Sequence, residues 1–428
     1  MCDHMGANDP SMPDQKPTTR WHFSMIPIYM AIGSPSLLAT LVALSLGANV
    51  ADIGAMTAAG AVATFVFSTV WGRLSDFSGR RKRYLLLFFM ALGPVFLTLS
   101  MVNSVPQLIL LYTLLVGIGS GVAPIAVMYT VECSKGKGWE GGVAKYNSIT
   151  SVGNILGLVV YSIGARFYET RTLFYISSIM CLLAALLLWR TGQEPEITLE
   201  RHPFPVRTLR DTESLLQSMP FLHYLDLRRI KPPRNLRQLK PLQLLLLAVF
   251  VHWVGISFFG VGQTPLMKAL GLSDSLILAI SVGNGVASAV TFFWIAPRVK
   301  SDKIRFINRV VVARCCLVLG WAALPIFLSH PVSFVFVFPL VISIFFNIFY
   351  AVIWLPITNF AISQAPLDRK GSIIGELMSV MGISNAIGSV LGGLAITAYG
   401  YTVGFVAASM IAFLAFPIIS RINIMESN

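Results

Sequence analysis

Apolar residues along this chain come in runs too long to be one face of a soluble helix. Stretches of about twenty residues with few or no charges begin near Phe23, Ile53, Tyr84, Pro106, Tyr146, Thr172, Pro241, Ser275, Val310, Pro331, Leu377 and Tyr401. At 1.5 Å per residue each can cross a hydrocarbon layer about 30 Å thick as a helix. In such a layer backbone N–H and C=O groups find no water, so a helix, which satisfies them internally, is the form expected of each run. The pattern predicts an all-α membrane protein with twelve transmembrane helices. The tenth run is overlong and holds Pro339 and Pro356, so a bend is expected there. The ninth contains Arg314 about one turn inside its start, where a long cation can snorkel to the membrane surface.

Charge in the polar connections sets the orientation. With twelve crossings, 29 of the 32 Lys+Arg fall on the side of the N-terminus, and only Arg166, Arg171 and Lys268 fall on the other. Basic residues are retained on the cytoplasmic side, so both termini are expected there, in a multi-pass protein of the plasma membrane. Composition agrees: 428 residues, 55% hydrophobic and 12% charged. The net charge of +13 follows from topology, with attraction to anionic membrane lipid added. It does not indicate nucleic-acid binding, which needs a folded polar surface. Five cysteines, at 2, 133, 181, 315 and 316, show no CxxC or Cys/His spacing, so no metal site is indicated. No phosphate-binding GxxxxGK[ST] loop occurs. No cofactor is expected, and the protein reads as a monomer.

The longest polar stretch, 191–241, divides six runs from six. The expected organisation is a tail over 1–22, an N-terminal six-helix bundle over 23–190, a cytoplasmic linker over 191–241, a C-terminal bundle over 242–422 and a tail over 423–428. Residues 209–229 of the linker fit either a helix on the inner membrane face or a flexible connection. The halves resemble each other weakly. WGRLSDFSGRRKR at 71–83 has a counterpart in APRVKSDKIRFINR at 296–309, and GNILG at 153–157 one in GSVLG at 388–392. Duplicated halves with a site between them are a recurring transporter plan.

The loop after the second run carries the most specific motif. Gly72, Leu74, Asp76, Gly79, Arg80, Arg81 and Lys82 combine backbone freedom, an acid suited to a helix N-terminus and guanidinium groups suited to carboxylates. This segment resembles the loop between helices 2 and 3 of the major facilitator superfamily, G-x-L-x-D-x-x-G-R-[KR]-[KR], and the resemblance extends over about residues 23–422. It implies two six-helix bundles of that superfamily's fold, related by pseudo-symmetry and alternating between states. Gly72, Asp76, Gly79, Arg80 and Arg81 would then form a gating loop that latches the cytoplasmic side in the outward-open state. Two features of the family's proton-driven antiporters are missing. Thr113 stands where the fourth helix often has Arg, and Gly157 is followed by Leu158 without the Pro of the fifth-helix motif.

Intramembrane charge is sparse in these runs. Glu132 ends the fourth, Glu376 opens the eleventh and Asp52 opens the second. Glu132 is expected to pair with the latch arginines when the inner gate is closed, and Glu376 to exchange a coupling proton. Polar and aromatic residues at helical spacing mark candidate cavity faces: Tyr29, Ser36 and Thr40 in the first run; His252, Phe259 and Gln263 in the seventh; Asn347, Tyr350 and Trp354 in the tenth. His252 reads equally as a neutral histidine bonded to a neighbouring helix or as a substrate or proton ligand. Stripes in the fifth and eighth runs, such as Asn147/Ser151/Asn154 and Asn284/Ser288, read as interhelical contacts beside glycines.

A cavity of this kind, without a central Arg, Lys or Asp, suits a small, moderately apolar or neutral organic solute. The reading is a secondary carrier, efflux being one direction compatible with it, with a small-molecule solute and a coupling proton or ion as partners. The alternative is a membrane sensor or assembly protein that kept the fold without transport. Catalysis is not indicated, since no nucleophile–base set or carboxylate pair converges.

Overall fold

Two short helices, α1 (Met25–Ile32) and α2 (Pro35–Ser45), replace the single first span that the apolar run suggests. The break falls at Gly33 and Ser34, just before Pro35, because proline disfavours the helical conformation in the residue it follows; Ser34 has φ −140°. The structure, a computed structural model, describes residues 19–133, 139–194, 240–294, 304–327, 332–364 and 370–427. The possible amphipathic helix at 209–229 and most of the linker therefore lie outside the described residues, as does most of the N-terminal tail.

The N-terminal half continues with α3 (Val50–Ser78), α4 (Arg81–Ser100), α5 (Val105–Gly119), α6 (Val122–Cys133), α7 (Trp139–Gly164) and α8 (Leu173–Thr191). The C-terminal half holds α9 (Pro241–Ala269), α10 (Asp274–Trp294), α11 (Ile304–Ala323), α12 (Val332–Ser363), α13 (Lys370–Phe413) and α14 (Ala415–Ser427). Local chemistry sets the ends of α3. Asn49 and Asp52 form a reciprocal capping box at its start, each side chain accepting from the other's backbone N–H at 2.9 and 3.0 Å. Gly79 ends it with φ +68°, a conformation that costs side-chain-bearing residues energy.

Ten segments among the described residues are long and apolar enough to cross a membrane. Helix α7 is not one of them; it carries Glu140, Lys145 and Asn147 in its first half. One segment, Gly375–Ile422, is 48 residues long. Inside it Gly400 leaves the helical region, with φ 83° and ψ 171°.

The internal repeat proves to be a packing device. A Cβ added at Gly153 of α7 would lie 2.8 Å from the Ile26 carbonyl oxygen of α1, and one at Gly157 would lie 2.5 Å from that of Met30. In the second half, a Cβ at Gly388 of α13 would lie 2.3 Å from the Val254 carbonyl oxygen of α9, and one at Gly392 would lie 2.4 Å from that of Phe258. Both GxxxG pairs thus seat a helix against the backbone of the first helix of their half. In an apolar solvent such contacts hold helices by van der Waals packing, which only small residues permit. Between halves, α3 packs on α13 and α7 on α10.

Candidate functional site

The hydrogen bonds that join the halves cluster at one end of the molecule, where α2 turns into α3 and α9 into α10. Ala51 N–H donates to Thr397 Oγ1 at 3.0 Å. Ser162 and Ser275 exchange hydroxyl-to-carbonyl bonds at 2.9 and 2.6 Å. Arg166 Nε donates to Ser275 Oγ at 3.3 Å, and the Thr170 hydroxyl donates to the Asp274 carboxylate. Beneath them the backbones nearly touch: a Cβ at Gly54 would meet the Ser389 carbonyl oxygen at 2.5 Å. Toward the other end no hydrogen bond joins the halves among the described residues. Val62, Val66, Phe67 and Leu74 of α3 are exposed, and a Cβ at Gly72 would meet nothing within 4 Å. Gly72 therefore has open space here, where the motif suggests a close backbone approach.

At that end the 72–82 loop is built around a buried ion pair. Arg81 Nε lies 3.2 Å from Glu132 Oε1, and the two side chains are 3% and 6% exposed. Arg81 Nη1 also donates to Ser75 Oγ at 2.5 Å. Glu132 thus pairs with Arg81 at an end that is not the sealed one, whereas the expectation tied that pairing to a closed inner gate; Arg80 is exposed at the start of α4. Both members of the pair belong to the N-terminal half, one on α4 and one on α6. The pair exists with the opposite end sealed, so it shapes the loop without itself bridging the halves. The side-chain surroundings of Asp76 lie outside the described residues. Glu376 is partly exposed in the second turn of α13.

The first linker residues fasten to the same surface. Glu194 accepts from the Lys82 backbone N–H at 3.2 Å, and Tyr129 donates to the Gln193 carbonyl at 2.5 Å. Partial withdrawal from water raises the Glu194 carboxyl above the ordinary carboxylate range, against the lowering influence of the Lys82 N–H, Arg83, Lys82 and Arg80.

The C-terminal half holds the feature that the sequence reading misplaced. Arg314 does not snorkel. It is 1% exposed, ten residues into α11, or about 15 Å from its start. Its Nη1 donates to His252 Nε2 at 3.0 Å. Its Cζ lies over the Phe346 ring at 4.5 Å, the Tyr350 ring at 5.8 Å and the Trp253 ring at 5.9 Å. Because guanidinium donates and never accepts, His252 must offer Nε2 as acceptor and keep its proton on Nδ1, which faces the Ala412 carbonyl at 3.4 Å. His252 is accordingly a neutral histidine spanning α11 and α13. The premise of an interior lacking a central arginine is overturned with it.

The other cavity candidates sort into groups. Tyr350 and Trp354 stack at 6.5 Å and 14°, with Trp253 at 6.2 Å from Trp354. Gln263 donates to Ser343 Oγ at 3.2 Å, and Asn347 donates to the Ser343 carbonyl at 2.9 Å. Phe259 is packed among Trp321, Phe346 and Phe405 in the core. In the first span the break at Gly33 divides the supposed stripe. The Tyr29 hydroxyl pairs with that of Tyr146 at 2.6 Å, Thr40 turns to the Ser36 carbonyl at 2.8 Å, and Ser36 itself is exposed.

An all-helical molecule with ten segments able to cross a membrane among its described residues, hydrogen bonds between its halves at one end and polar groups enclosed between apolar helices has the form of a membrane carrier. A model of the Major Facilitator Superfamily matches residues 22–376, and the chain belongs to that superfamily; it is a transporter and not an enzyme. Among solved structures it is similar to the nucleoside transporter NupG, with TM-score 0.67, 12% identity, and 95% of this chain and 98% of that one covered. It is also similar to an auto-inhibited POT family peptide transporter, at 0.69, 12%, 95% and 97%. The human organic anion transporter MFSD10 (TETRAN) gives 0.61, 16%, 95% and 100%. Among curated protein sequences none matches. At these identities the likenesses establish the fold.

Proposed function

We propose that this protein is a secondary carrier of the plasma membrane, moving a small organic solute with an apolar body by alternating access between two six-helix bundles. The chain crosses the membrane twelve times in this reading: α7 makes one crossing, and the 48-residue segment makes two, reversing at Gly400. Both termini lie in the cytoplasm, so the sealed end faces outward and this conformation opens inward. The observation that carries the proposal is the one-sided seal between α3 and α13 and between α7 and α10. A scaffold or sensor that does not alternate has no need of halves joined at one end alone. The solutes of the structural neighbours differ among themselves and do not choose one for this chain.

The test needs no known solute. Spin labels at Leu74→Cys and Gly375→Cys, with the native cysteines replaced, report the width of the open end in reconstituted protein. Two distance populations are expected, collapsing to the longer one when Ser162→Cys and Ser275→Cys are oxidised to a cross-link. A single distance, indifferent to the cross-link, rejects alternating access and favours the non-transporting alternative.

A further inference from the structure

The Arg314 cluster is the feature of this structure that the carrier reading leaves without work. Burying one ion costs several kcal/mol even after relaxation, and proteins hold such charges by pairing them. No carboxylate among the described residues lies within ion-pair distance of Arg314. Its hydrogen-bond acceptor is a neutral imidazole nitrogen, and its enclosed Nε–H has no acceptor at all. Aromatic faces on Phe346, Tyr350 and Trp253 stabilise the cation partly, but a guanidinium has five N–H donors in a planar fork. The fork suits two oxygens of a carboxylate.

The position is also suggestive. Arg314 stands directly behind the Tyr350 and Trp253 rings. Asn347, Tyr350 and Trp354 occupy one face of α12 at spacings of three and four residues, all partly exposed. Asn347 to Trp354 spans about 10 Å along the helix. A rotation of the Tyr350 ring would uncover the guanidinium to whatever lies along that face. Small hydrated inorganic anions are poorly served there, since the surrounding rings cannot replace a hydration shell. An acid with an aromatic or branched apolar body is well served, with its body on Trp354 and Tyr350 and its carboxylate on Arg314.

We infer that the buried Arg314, caged by Phe346, Tyr350 and Trp253 and unmatched by an acid among the described residues, is a subsite for the carboxylate of an amphipathic organic monoanion. This rests on the carrier reading and names its solute class. The test is thermal stabilisation of the full-length protein by phenylacetate, indole-3-acetate, benzoate and octanoate, each compared with its neutral amide, because a ligand of the native state raises the unfolding temperature. At least one acid is expected to stabilise while its amide does not. Arg314→Lys keeps the charge and loses the fork, and should bind that acid about 10- to 100-fold more weakly; Arg314→Gln should abolish the effect.

The inference is overturned if no acid in the panel stabilises, if an amide matches its acid, or if stabilisation survives Arg314→Gln. Should Arg314→Gln fail to fold, the acid–amide contrast and the lysine variant still decide. Sodium chloride at equal ionic strength is the control for inorganic anions, and equal stabilisation by chloride also rejects the organic ligand. These outcomes are independent of the spin-label distances, so two populations without acid binding would leave the carrier reading intact and remove this one.

Discussion

Replacing Glu132 by Gln tests how much of the latch loop hangs on one buried contact. The substitution keeps the shape and an acceptor oxygen but removes the carboxylate charge beside Arg81, which is 3% exposed. At 3.2 Å and an effective dielectric constant of about 20, the attraction removed is about 5 kcal/mol. Desolvation of both groups offsets part of this in the native protein, but that cost remains for Arg81 in the variant. The expected loss is therefore about 3–5 kcal/mol, the range seen when one member of a buried pair is deleted. The single variant Arg81→Met completes the cycle, and the double variant Arg81→Met with Glu132→Gln removes both charges and should recover most of the loss. About 1 kcal/mol should stay missing because Ser75 loses its partner at 2.5 Å. Reversible denaturation in mixed micelles, followed by tryptophan fluorescence, gives the three free energies of the cycle. A single variant costing under 1 kcal/mol, or a double variant costing the sum of both singles, would refute the argument.

Gly54→Val should open the sealed end, since its first added carbon meets the Ser389 carbonyl at 2.5 Å; spin labels across that end should move apart, and unchanged distances would show that the seal tolerates the bulk. Glu194, whose carboxyl is raised by burial, binds its proton more tightly in the folded protein than in the unfolded chain. Its contribution is thus fully present below the ordinary carboxylate pKa of about 4.3 and fades as pH rises through the folded value. Glu194→Gln should flatten the stability profile in that window, and an identical profile would mean that other groups set it. A cysteine at Lys268 should react with an impermeant reagent from outside sealed cells and one at Lys231 should not; the reverse would invert the topology.

The spans were legible because a membrane imposes one rule on every crossing segment. The run from Pro241 begins where α9 begins, and the acid–asparagine spacing at 49–52 is the capping box that starts α3. The breaks in the first and fourth spans were signalled by Pro35 and Pro124 within otherwise continuous runs, but an apolar count does not register them. The first break also undid the stripe through Tyr29, Ser36 and Thr40, because helical spacing carries no meaning across an interruption. Arg314 was misplaced for a different reason. The apolar run begins at Val310, whereas α11 begins at Ile304, so the arginine lies deeper than the run implies. The pattern held a better clue: Ile307, Val311, Arg314, Val318 and Trp321 repeat every three or four residues, and all are at most 1% exposed. A charge on the buried face of a helix is a different object from a charge at its end.

The seal and the buried arginine are matched in scale. Neutral hydrogen bonds net about 0.5–1.5 kcal/mol each; the one joining Ala51 to Thr397 is exposed, and those joining Ser162 to Ser275 are partly buried. A handful of them contributes only a few kcal/mol to the joint, beside the packing of α3 on α13 and of α7 on α10. Carrying a two-state protein from 1:99 to 99:1 takes about 5.5 kcal/mol of differential binding. A seal much stronger than that would trap this conformation, and one much weaker would let both ends open together. The glycine contacts fit the same requirement, since Gly54 against Ser389 supplies close shape without a directional bond that must be broken. A carboxylate completing the Arg314 fork would contribute about 1.5–3 kcal/mol per hydrogen bond to a charged group. That is enough to shift the balance between states wherever one of them offers the guanidinium more openly. The energy for alternation would then come from a charge left unmatched in the core, and the seal would need only to be weak.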